Sequence, residues 1–451
     1  MTMILSATGS WSQIGSSSSY GAIYAIAMHP TTGDIYLGGD FVLCGGVSVN
    51  CIAKWNGTSF SAVTGGGSNG VNGPIRAMVF DASGNLYVGG SFTKLSDGAT
   101  IASGIAMWNG TAWSALLANT KTGVNNAVYA LMLLGSTLYV GGSFTKLDDG
   151  VTTASGMASY TSAGGWSNVY DNANNIYGVN GTVRALAYDS VNNYIHIGGS
   201  FTKLDNSTGN PYYAYINLSS GNPRYSSPSN TVNGNIYAMS FVSGVGIYVG
   251  GAFTQFASTS AKRIALLSLS GIWSAVVGGS INGVDNDIVS LTYDISNSTL
   301  YVGGFFAGLS DGTKSWYFAQ YKNSTWSFKY DAFAFSAYGT VNACLAAPVG
   351  NNSSIEPAIN VATGNYYYTG YGTAPTPSSV TGVSSLSPND GSNLVLSQDM
   401  SVSSSGDLTL QIATLSNLTG GKAITVAAGG KIKLTSGNQA IVKSGTIYKI
   451  G

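Results

Sequence analysis

The chain has 451 residues, of which only 8% are charged, and its 18 basic and 18 acidic side chains cancel to zero net charge. An average soluble domain carries about 25% charged residues. Without an excess of Lys and Arg, the chain is not built to attract nucleic acid or an anionic membrane. Its 62 glycines and 28 tyrosines instead suit tight turns and pleated sheets. This composition is typical of surface-displayed and virion proteins.

The N-terminal segment MTMILSATGS has neither the basic region nor the long apolar run of a secretory signal peptide. No apolar run approaches the ~18 residues of a membrane span. We therefore predict no recognisable signal peptide and no membrane span. Trp11 and Ser12 follow without any earlier strand pattern, which indicates an outer strand that completes a sheet begun elsewhere in the chain.

A repeated unit then fills most of the chain. The stretch YVGGSFTKL occurs identically at 87–95 and 139–147, and its glycine pair recurs every 51 to 57 residues. Each unit has four short apolar runs between Gly, Asn, Asp and Ser turns, which predicts a four-stranded antiparallel meander. Four strands in ~50 residues, repeated about seven times, are typical of a β-propeller. The first glycine of each pair is Gly38, Gly89, Gly141, Gly198, Gly250 and Gly303, with a decayed seventh copy at Gly370.

The fourth strand of a unit carries an aromatic residue followed by serine, as at Trp113 and Trp166. A seventh unit has a first strand near 341–347 and a second near 365–371, but no such fourth strand. The strand at Trp11 would supply it, and closing the ring removes exposed sheet edges. We predict an all-β, seven-bladed propeller closed by an N-terminal strand. Six blades, with 340–373 as an appendage, is the alternative.

The LYVGGSF unit with its tryptophan resembles the kelch-like and delta-60 (Rax2-type) propeller repeats over roughly residues 8–373. The resemblance implies a binding or structural platform more often than an enzyme, although kelch-like propellers include copper-radical oxidases and sialidase-like enzymes. The copper oxidases depend on paired histidines and a cross-linked Tyr–Cys, which a chain with only His29 and His196 does not match. Low-charge propellers of this kind are also similar to surface components of large DNA viruses and bacterial adhesins.

The sequence changes character after the repeats. We predict a propeller over 1–373, a Pro/Ser-rich linker over 374–392, and a C-terminal module of strands over 393–451, where apolar and polar residues alternate. The module has no Trp or Phe and one Tyr, so its core would be thin. It is interpreted as an attachment or oligomerisation module, and an independent small β-domain is the alternative.

The glycine pair invites comparison with a phosphate-binding loop. Such a loop needs a helix directly after its glycines, and no helical pattern follows any of the pairs. Glycine within a strand allows close backbone approach or a bulge. We therefore interpret the pairs as structural. His196 occupies a position that is Tyr in other units, as at Tyr87, Tyr139, Tyr248 and Tyr301, and we also interpret it as structural.

Polar residues recur in the linker between units and in the loop between second and third strands, which emerge on one face of a propeller. Turn formation explains them, and the functional alternative is a rim that binds a glycan or a partner loop, since amides both donate and accept hydrogen bonds. Weak Ca²⁺ binding by the aspartates is a further alternative, and no other cofactor is predicted. The linker residues are Asn72, Asn125, Asn180, Asn233, Asp285 and Asn342, and the loop residues are Lys94, Lys146, Lys203, Asp97, Asp149, Asp205 and Asp311.

Three cysteines in so long a chain do not make a disulfide scaffold. Cys44 and Cys51 lie seven residues apart in one loop, and they form either a disulfide or two free thiols. No metal-binding His/Cys cluster and no catalytic set with histidine can be assembled.

These patterns predict a non-enzymatic structural or binding protein on a virion or extracellular surface. The propeller rim would bind a glycan or protein partner, and the C-terminal strands would anchor the protein among other subunits of an assembly, making it oligomeric. A carbohydrate-active enzyme and an intracellular kelch-type interaction scaffold are the alternatives.

Overall fold

The computed structural model describes residues 21–327, apart from 119, 206–211, 220–221, 228–231, 257, 296–297 and 316; outside this range it describes strand backbones only. The chain divides into two units, Met1–Phe328 with Gly339–Ile355, and Lys329–Tyr338 with Glu356–Gly451. All regular elements of the described residues are strands. A membrane-spanning helix is absent from this described part of the chain.

The first unit is a β-propeller, and its described residues form six blades of four antiparallel strands each. The innermost strands of successive blades are neighbours, so they surround a central axis. From the innermost strand outward, the strands are Gly21–Met28, Ile35–Phe41, Ile52–Trp55 and Phe60–Ala62 in blade 1; Ile75–Phe80, Leu86–Gly90, Ile105–Trp108 and Trp113–Ala115 in blade 2; Val128–Leu134, Thr137–Gly142, Met157–Thr161 and Gly165–Asn168 in blade 3; Thr182–Asp189, Tyr194–Ser200, Tyr213–Asn217 and Arg224–Ser226 in blade 4; Ile236–Val242, Gly246–Gly251, Ile264–Ser268 and Trp273–Ala275 in blade 5; and Ile288–Asp294, Thr299–Gly304, Phe318–Lys322 and Thr325–Ser327 in blade 6.

Two-stranded ribbons decorate the loops of three blades. They join Leu43–Cys44 to Val47–Ser48, Gln255–Phe256 to Thr259–Ser260, and Val277–Gly278 to Ile281–Asn282.

The repeated glycine pair makes room for two different neighbours. A Cβ on Gly89 would lie 2.5 Å from the Val128 side chain of the next blade, so the first glycine permits blade-to-blade contact. A Cβ on Gly90 would overlap the carbonyl oxygen of Pro74 within its own blade. The contact of the first glycine with the next blade recurs in blades 1, 3, 4 and 5, and the contact of the second glycine recurs in all the other blades. The structural interpretation of the glycine pair is confirmed.

The hydrophobic core lies between blades rather than inside one sheet. One cluster, for example, joins Ile105 of blade 2 to Val128, Val140 and Phe144 of blade 3. The phenylalanine after each glycine pair is at most 3% exposed in all six blades. Blades 2 to 5 therefore bury both of their faces against neighbouring blades, and the repeated sequence satisfies the same contact each time.

A three-stranded sheet also belongs to the first unit. Thr2–Leu5 pairs in parallel with Ala343–Ala346 and antiparallel with Trp11–Gln13, which is the outer strand. Ala343–Ala346 neighbours the innermost strands of blades 6 and 1. The strand at Trp11 thus pairs with another N-terminal strand, which the sequence did not predict.

The second unit contains strands in both the predicted linker and the predicted C-terminal module. Asn365–Tyr368, predicted as the second strand of a seventh blade, pairs instead with Ser385–Pro388, so that prediction was wrong. Leu394 pairs in parallel with Leu418, as do Met400 with Ile424 and Leu408 with Ile432, always 24 residues apart. The strands are Asn365–Tyr368, Ser379–Thr381, Ser385–Pro388, Leu394–Val395, Met400–Ser403, Leu408–Leu410, Leu418–Thr419, Ala423–Val426, Ile432–Leu434, Gln439–Ala440 and Tyr448–Lys449.

Candidate functional site: the loop face and its Arg–Tyr ring

The loop face of the propeller is the face where the chain enters each innermost strand. There Asn72 precedes blade 2, and its Oδ1 accepts hydrogen bonds from the backbone N–H groups of Thr93 and Lys94, at 2.9 and 3.0 Å. Its Nδ2 donates to Thr93 Oγ1 at 3.1 Å. The linker and the second-to-third-strand loop therefore meet on one face, as predicted.

We call this set of three hydrogen bonds the asparagine clamp, and it recurs around the loop face. Asn125, Asn180 and Asn233 each bind two backbone N–H groups and a threonine hydroxyl in the following blade. Asp285 accepts one bond, from the backbone N–H of Ala307. All these side chains are exposed, and the clamp leaves each amide one N–H. Asn342 lies outside the described residues.

The predicted lysines and aspartates mainly stabilise their own loops. Lys94 Nζ donates to the carbonyl oxygen of Gly98 at 3.0 Å, and Lys146 bonds Gly150 in the same way. Asp97 Oδ1 accepts the N–H groups of Ala99 and Thr100, both at 2.9 Å. The Thr100 hydroxyl, which donates to Asp97 Oδ2 at 2.6 Å, and these backbone N–H groups hold the pKa of the Asp97 carboxyl below its usual range. The turn-forming role of Asp97 is confirmed.

The remaining loop aspartates differ slightly in their partners. Asp149 forms a similar turn and also an ion pair of 3.2 Å with Lys121. Asp205 accepts a bond from Ser155 Oγ, and Asp311 accepts one from the Thr313 N–H. No cluster of three or more His, Cys, Asp or Glu suitable for a metal ion occurs among the described residues. A binding role for these loop residues stays a prediction.

Five side chains that sequence reasoning missed form a ring on the innermost strands of blades 1 to 5. In chain order they are Tyr24, Arg76, Tyr129, Arg184 and Tyr237, so the two residue types alternate. The guanidinium carbon of Arg76 lies 4.9 Å from the ring centroid of Tyr24 and 5.2 Å from that of Tyr129. That of Arg184 lies 4.9 Å from Tyr129 and 5.5 Å from Tyr237. We call this set the Arg–Tyr ring.

Every member of the Arg–Tyr ring is the extra residue of a β-bulge. In blade 2, for example, Ile75 and Ala77 pair with consecutive glycines, Gly90 and Gly89, so that Arg76 has no partner in the ladder. The other four members likewise have no partner residue in the pairing of the first and second strands. A bulge re-aims its side chain. The glycine pair therefore faces the bulge that positions the ring.

Serine hydroxyls fix both guanidinium groups. Arg76 Nε donates to Ser91 Oγ at 3.2 Å, and Arg184 Nε donates to Ser200 Oγ at 3.1 Å. Each serine directly follows a glycine pair, in the motif GGSF. The terminal guanidinium nitrogens retain donors for an outside acceptor, because a guanidinium carries five N–H groups.

The two ring arginines carry charge that no carboxylate neutralises within the described residues. By contrast, Arg224 binds Asp171 at 2.7 Å, and Arg263 binds Asp287 at 3.1 Å. The ring is half-buried and lies where the innermost strands begin, on the face that carries the asparagine clamps. Its chemistry suits an oxyanion, since arginine binds carboxylate and phosphate bidentately.

The histidines and cysteines lie elsewhere. Cys44 and Cys51 are free, buried thiols, so the disulfide alternative is not what the structure contains. Burial raises the pKa of Cys44 to about 11. His196 is 4% exposed, and burial lowers its pKa to about 4. Its neighbours are polar, which sequence reasoning did not anticipate.

Comparison with known proteins supports the fold. The family model of the Rax2 C-terminal beta propeller domain matches residues 167–375, a little less than half of the chain. This match and the architecture agree with the Rax2-type part of the resemblance. No curated protein matches the chain significantly.

Two solved structures resemble the chain at 16% identity, each over 70% of its length. One is the extracellular domain of a putative hybrid two-component system from B. thetaiotaomicron, with a TM-score of 0.44. The other is a GH74 enzyme from Niastella koreensis, with a TM-score of 0.43. The match covers 34% of the first chain and 46% of the second, so this protein spans less than half of either.

Proposed function

We propose that this is a non-enzymatic binding protein of a virion or extracellular surface. The loop face of its propeller binds an anionic ligand, which is either a glycan or a protein partner. Its C-terminal strands anchor it in an assembly. The observation that carries the proposal is the Arg–Tyr ring, where Arg76 and Arg184 hold unpaired charge on one face.

The arrangement favours binding of a preformed oxyanion. Each guanidinium is held between two aromatic faces and by one serine, so little side-chain freedom is lost when a ligand binds. The two guanidinium carbons are no more than about 10 Å apart, because the Tyr129 centroid lies 5.2 Å from one and 4.9 Å from the other. One extended polyanion can reach both.

The test is binding of two soluble polyanions, polygalacturonate and polyglutamate, with neutral dextran as the negative control. Charge-assisted hydrogen bonds contribute about 1.5–3 kcal/mol each. The double variant Arg76→Gln/Arg184→Gln should therefore bind at least tenfold more weakly. Salt should weaken binding by the unmodified protein more than by the variant.

Matched controls separate the ring from net charge and from folding. Lys54→Gln/Lys322→Gln removes the same charge from two third strands, near the strand ends that lie away from the loop face, and should bind as the unmodified protein does. Arg76→Tyr/Arg184→Tyr introduces the residue that blades 1, 3 and 5 already hold, so it should fold and still lose affinity. Equal affinity of all four proteins, or binding of neither polyanion, would contradict the proposal. A preference between the two probes assigns the partner as glycan or protein.

We further propose that the propeller closes with seven blades. Ala343–Ala346 would be the innermost strand of the seventh, with Thr2–Leu5 and Trp11–Gln13 outside it. The position of Ala343–Ala346 beside the innermost strands of blades 6 and 1 supports this. Deleting residues 1–13 should then lower the melting temperature of the whole propeller, whereas a six-bladed ring would be unaffected.

Anchoring by the C-terminal strands has its own test. The full chain should sediment as an oligomer, and a chain ending at residue 373 should sediment as a monomer that keeps the polyanion affinity. An oligomer formed equally by both chains would exclude the C-terminal strands as the means of assembly.

A further inference from the structure

A cavity of about 490 Å³ lies between blades 4 and 5, away from the Arg–Tyr ring. Its volume is within the range of ligand pockets. Its lip includes the exposed turn residues Ser270 and Gly271. His196 and Asp189, 4% and 3% exposed, contribute its buried polar groups.

The two nitrogens of His196 differ in their contacts. Nδ1 lies 2.6 Å from Tyr213 Oη, whereas Nε2 is buried and has no hydrogen-bond partner. Nε2 lies 3.9 Å from Asp189 Oδ2, which is too far for a direct bond. A buried polar atom without a partner costs about 1–3 kcal/mol, so an outside group at Nε2 would relieve that cost.

The proton of His196 can be assigned from these neighbours. Nε2 faces the carboxylate of Asp189, which attracts an N–H and repels a lone pair, so the tautomer with the proton on Nε2 is favoured. Nδ1 accepts from the Tyr213 hydroxyl, which keeps its proton because burial strongly raises the pKa of Tyr213. The neutral imidazole then carries its own proton on Nε2, towards the carboxylate of Asp189. The cavity therefore presents an N–H donor and a carboxylate acceptor 3.9 Å apart.

One hydroxyl group satisfies both atoms. An oxygen placed between them accepts from Nε2–H and donates to Asp189 Oδ2, each at an ordinary hydrogen-bond distance. Asp189 Oδ2 already accepts Asn192 Nδ2 at 2.7 Å, and a carboxylate oxygen can accept a second bond.

The walls of the cavity are aromatic. Tyr194 and Tyr215 stack at 4.8 Å, and Trp273 meets Tyr213 edge-on at 5.2 Å. Aromatic faces carry partial negative charge and attract C–H edges. Lys and Arg are absent from the described residues that line the cavity, and the carboxylate disfavours an anion. The N–H donor of His196 disfavours a cation at the same place.

We propose that this cavity binds a neutral polyhydroxyl ligand, a small sugar, with one hydroxyl seated between His196 Nε2 and Asp189 Oδ2. This site is independent of the Arg–Tyr ring and of the function proposed above. The sugar's C–H faces lie against the tyrosine and tryptophan walls, and its remaining hydroxyls face the polar lip.

The chain has only two histidines, which makes nitrogen NMR a direct test. The intact ¹⁵N-labelled protein is titrated with glucose, galactose and cellobiose, and with acetate and tetramethylammonium as charged probes. We expect a saturable shift of the His196 Nε2 resonance with at least one sugar and none with the charged probes. His29, which accepts turn N–H groups at its Nδ1 in blade 1, serves as the internal reference.

Variants complete the test by calorimetry with the sugar that binds. His196→Tyr/Tyr213→Ile recreates the pair that blade 5 holds, Tyr248 and Ile264, so it should fold. It should weaken sugar binding at least tenfold, whereas His29→Asn should leave it unchanged. The proposal is overturned if no sugar shifts His196, if only a charged probe does, or if the blade 4 variant binds as tightly as the unmodified protein. Such an outcome leaves polyanion binding at the ring untouched.

Discussion

His196 Nδ1 and Tyr213 Oη lie 2.6 Å apart inside blade 4, and both residues depart from the repeat. The equivalent positions in blade 5 are Tyr248 and Ile264. One blade has thus exchanged a tyrosine–aliphatic pair for a histidine–tyrosine pair, and the exchange accompanies the cavity at the blade 4–blade 5 boundary. A departure from repetition therefore marks a candidate site more specifically than repetition does.

Acid should weaken the propeller through His196. Its folded pKa of about 4 lies below the ordinary value of about 6.5, so the unfolded chain binds the proton more readily. Stability from the neutral imidazole is complete above about pH 6.5 and is lost as pH falls towards 4. The loss amounts to about 3 kcal/mol. Urea denaturation of the unmodified protein and of His196→Tyr/Tyr213→Ile, compared between pH 7 and 4, should show a steeper decline for the former; parallel curves would refute this.

Asp171 should be a large single contributor to stability. It is fully buried and accepts bonds from Arg224 Nη1 at 2.7 Å and from the Tyr225 N–H at 3.1 Å, so it connects blades 3 and 4. Arg224 is 36% exposed and can be solvated when Asp171 is removed, but the buried N–H of Tyr225 would lose its acceptor, which costs about 1–3 kcal/mol. Asp171→Ala should lose this amount in urea denaturation. Asp81→Ala, which removes a turn aspartate without an arginine partner, should lose much less, and equal losses would argue against the inter-blade role.

Gly89 should resist even the smallest side chain. Its new Cβ would lie 2.5 Å from Val128 Cγ1 of the next blade, and overpacking of this kind costs about 1–3 kcal/mol. Trimming the neighbour should relieve the overlap. In a double-mutant cycle, Gly89→Ala and Val128→Ala should together cost less than the sum of their separate losses. Strict additivity would show that the two residues are not in steric contact.

The thiols of Cys44 and Cys51 should be unreactive in the folded protein. Burial raises the pKa of both, and the thiolate is the reactive form. Alkylation at pH 8 without reductant should modify neither until the protein is unfolded, after which peptide mass spectrometry should find both labelled. Recovery of a peptide linked through these two cysteines would instead establish a disulfide.

Local features of the repeat predicted much of this molecule. The glycine pair, the aromatic–serine strand and the turn aspartates recur in the sequence because each blade has the same four strands and turns and makes similar contacts with its neighbours. The asparagine clamp was also predictable in position, since Asn72 and its equivalents stand between one blade and the next. The parallel pairing in the second unit was also predictable, although the sequence analysis did not predict it. Leu394, Met400 and Leu408 each have an apolar residue 24 positions later in the sequence.

The Arg–Tyr ring was harder to predict from the sequence. Its residues occupy one slot of the repeat, in AIYAIA, PIRAMV, AVYALM, TVRALA and NIYAMS, yet a single tyrosine or arginine in an apolar strand carries no obvious meaning. The β-bulge is what directs these side chains towards one another, and the apolar pattern of the strand does not reveal a bulge. Alternation of Tyr and Arg along one slot was the available clue.

The sequence by itself determined the repeat, its four-stranded unit and the positions that must be glycine, because these depend on contacts within a blade or between identical neighbours. Only the tertiary structure decided which side chains meet across the axis and across blade boundaries. Residues 52 and 53 positions apart, such as Tyr24, Arg76 and Tyr129, come together only when successive blades surround a common axis. The same holds for His196 and Trp273, whose shared cavity exists because blades 4 and 5 pack face to face.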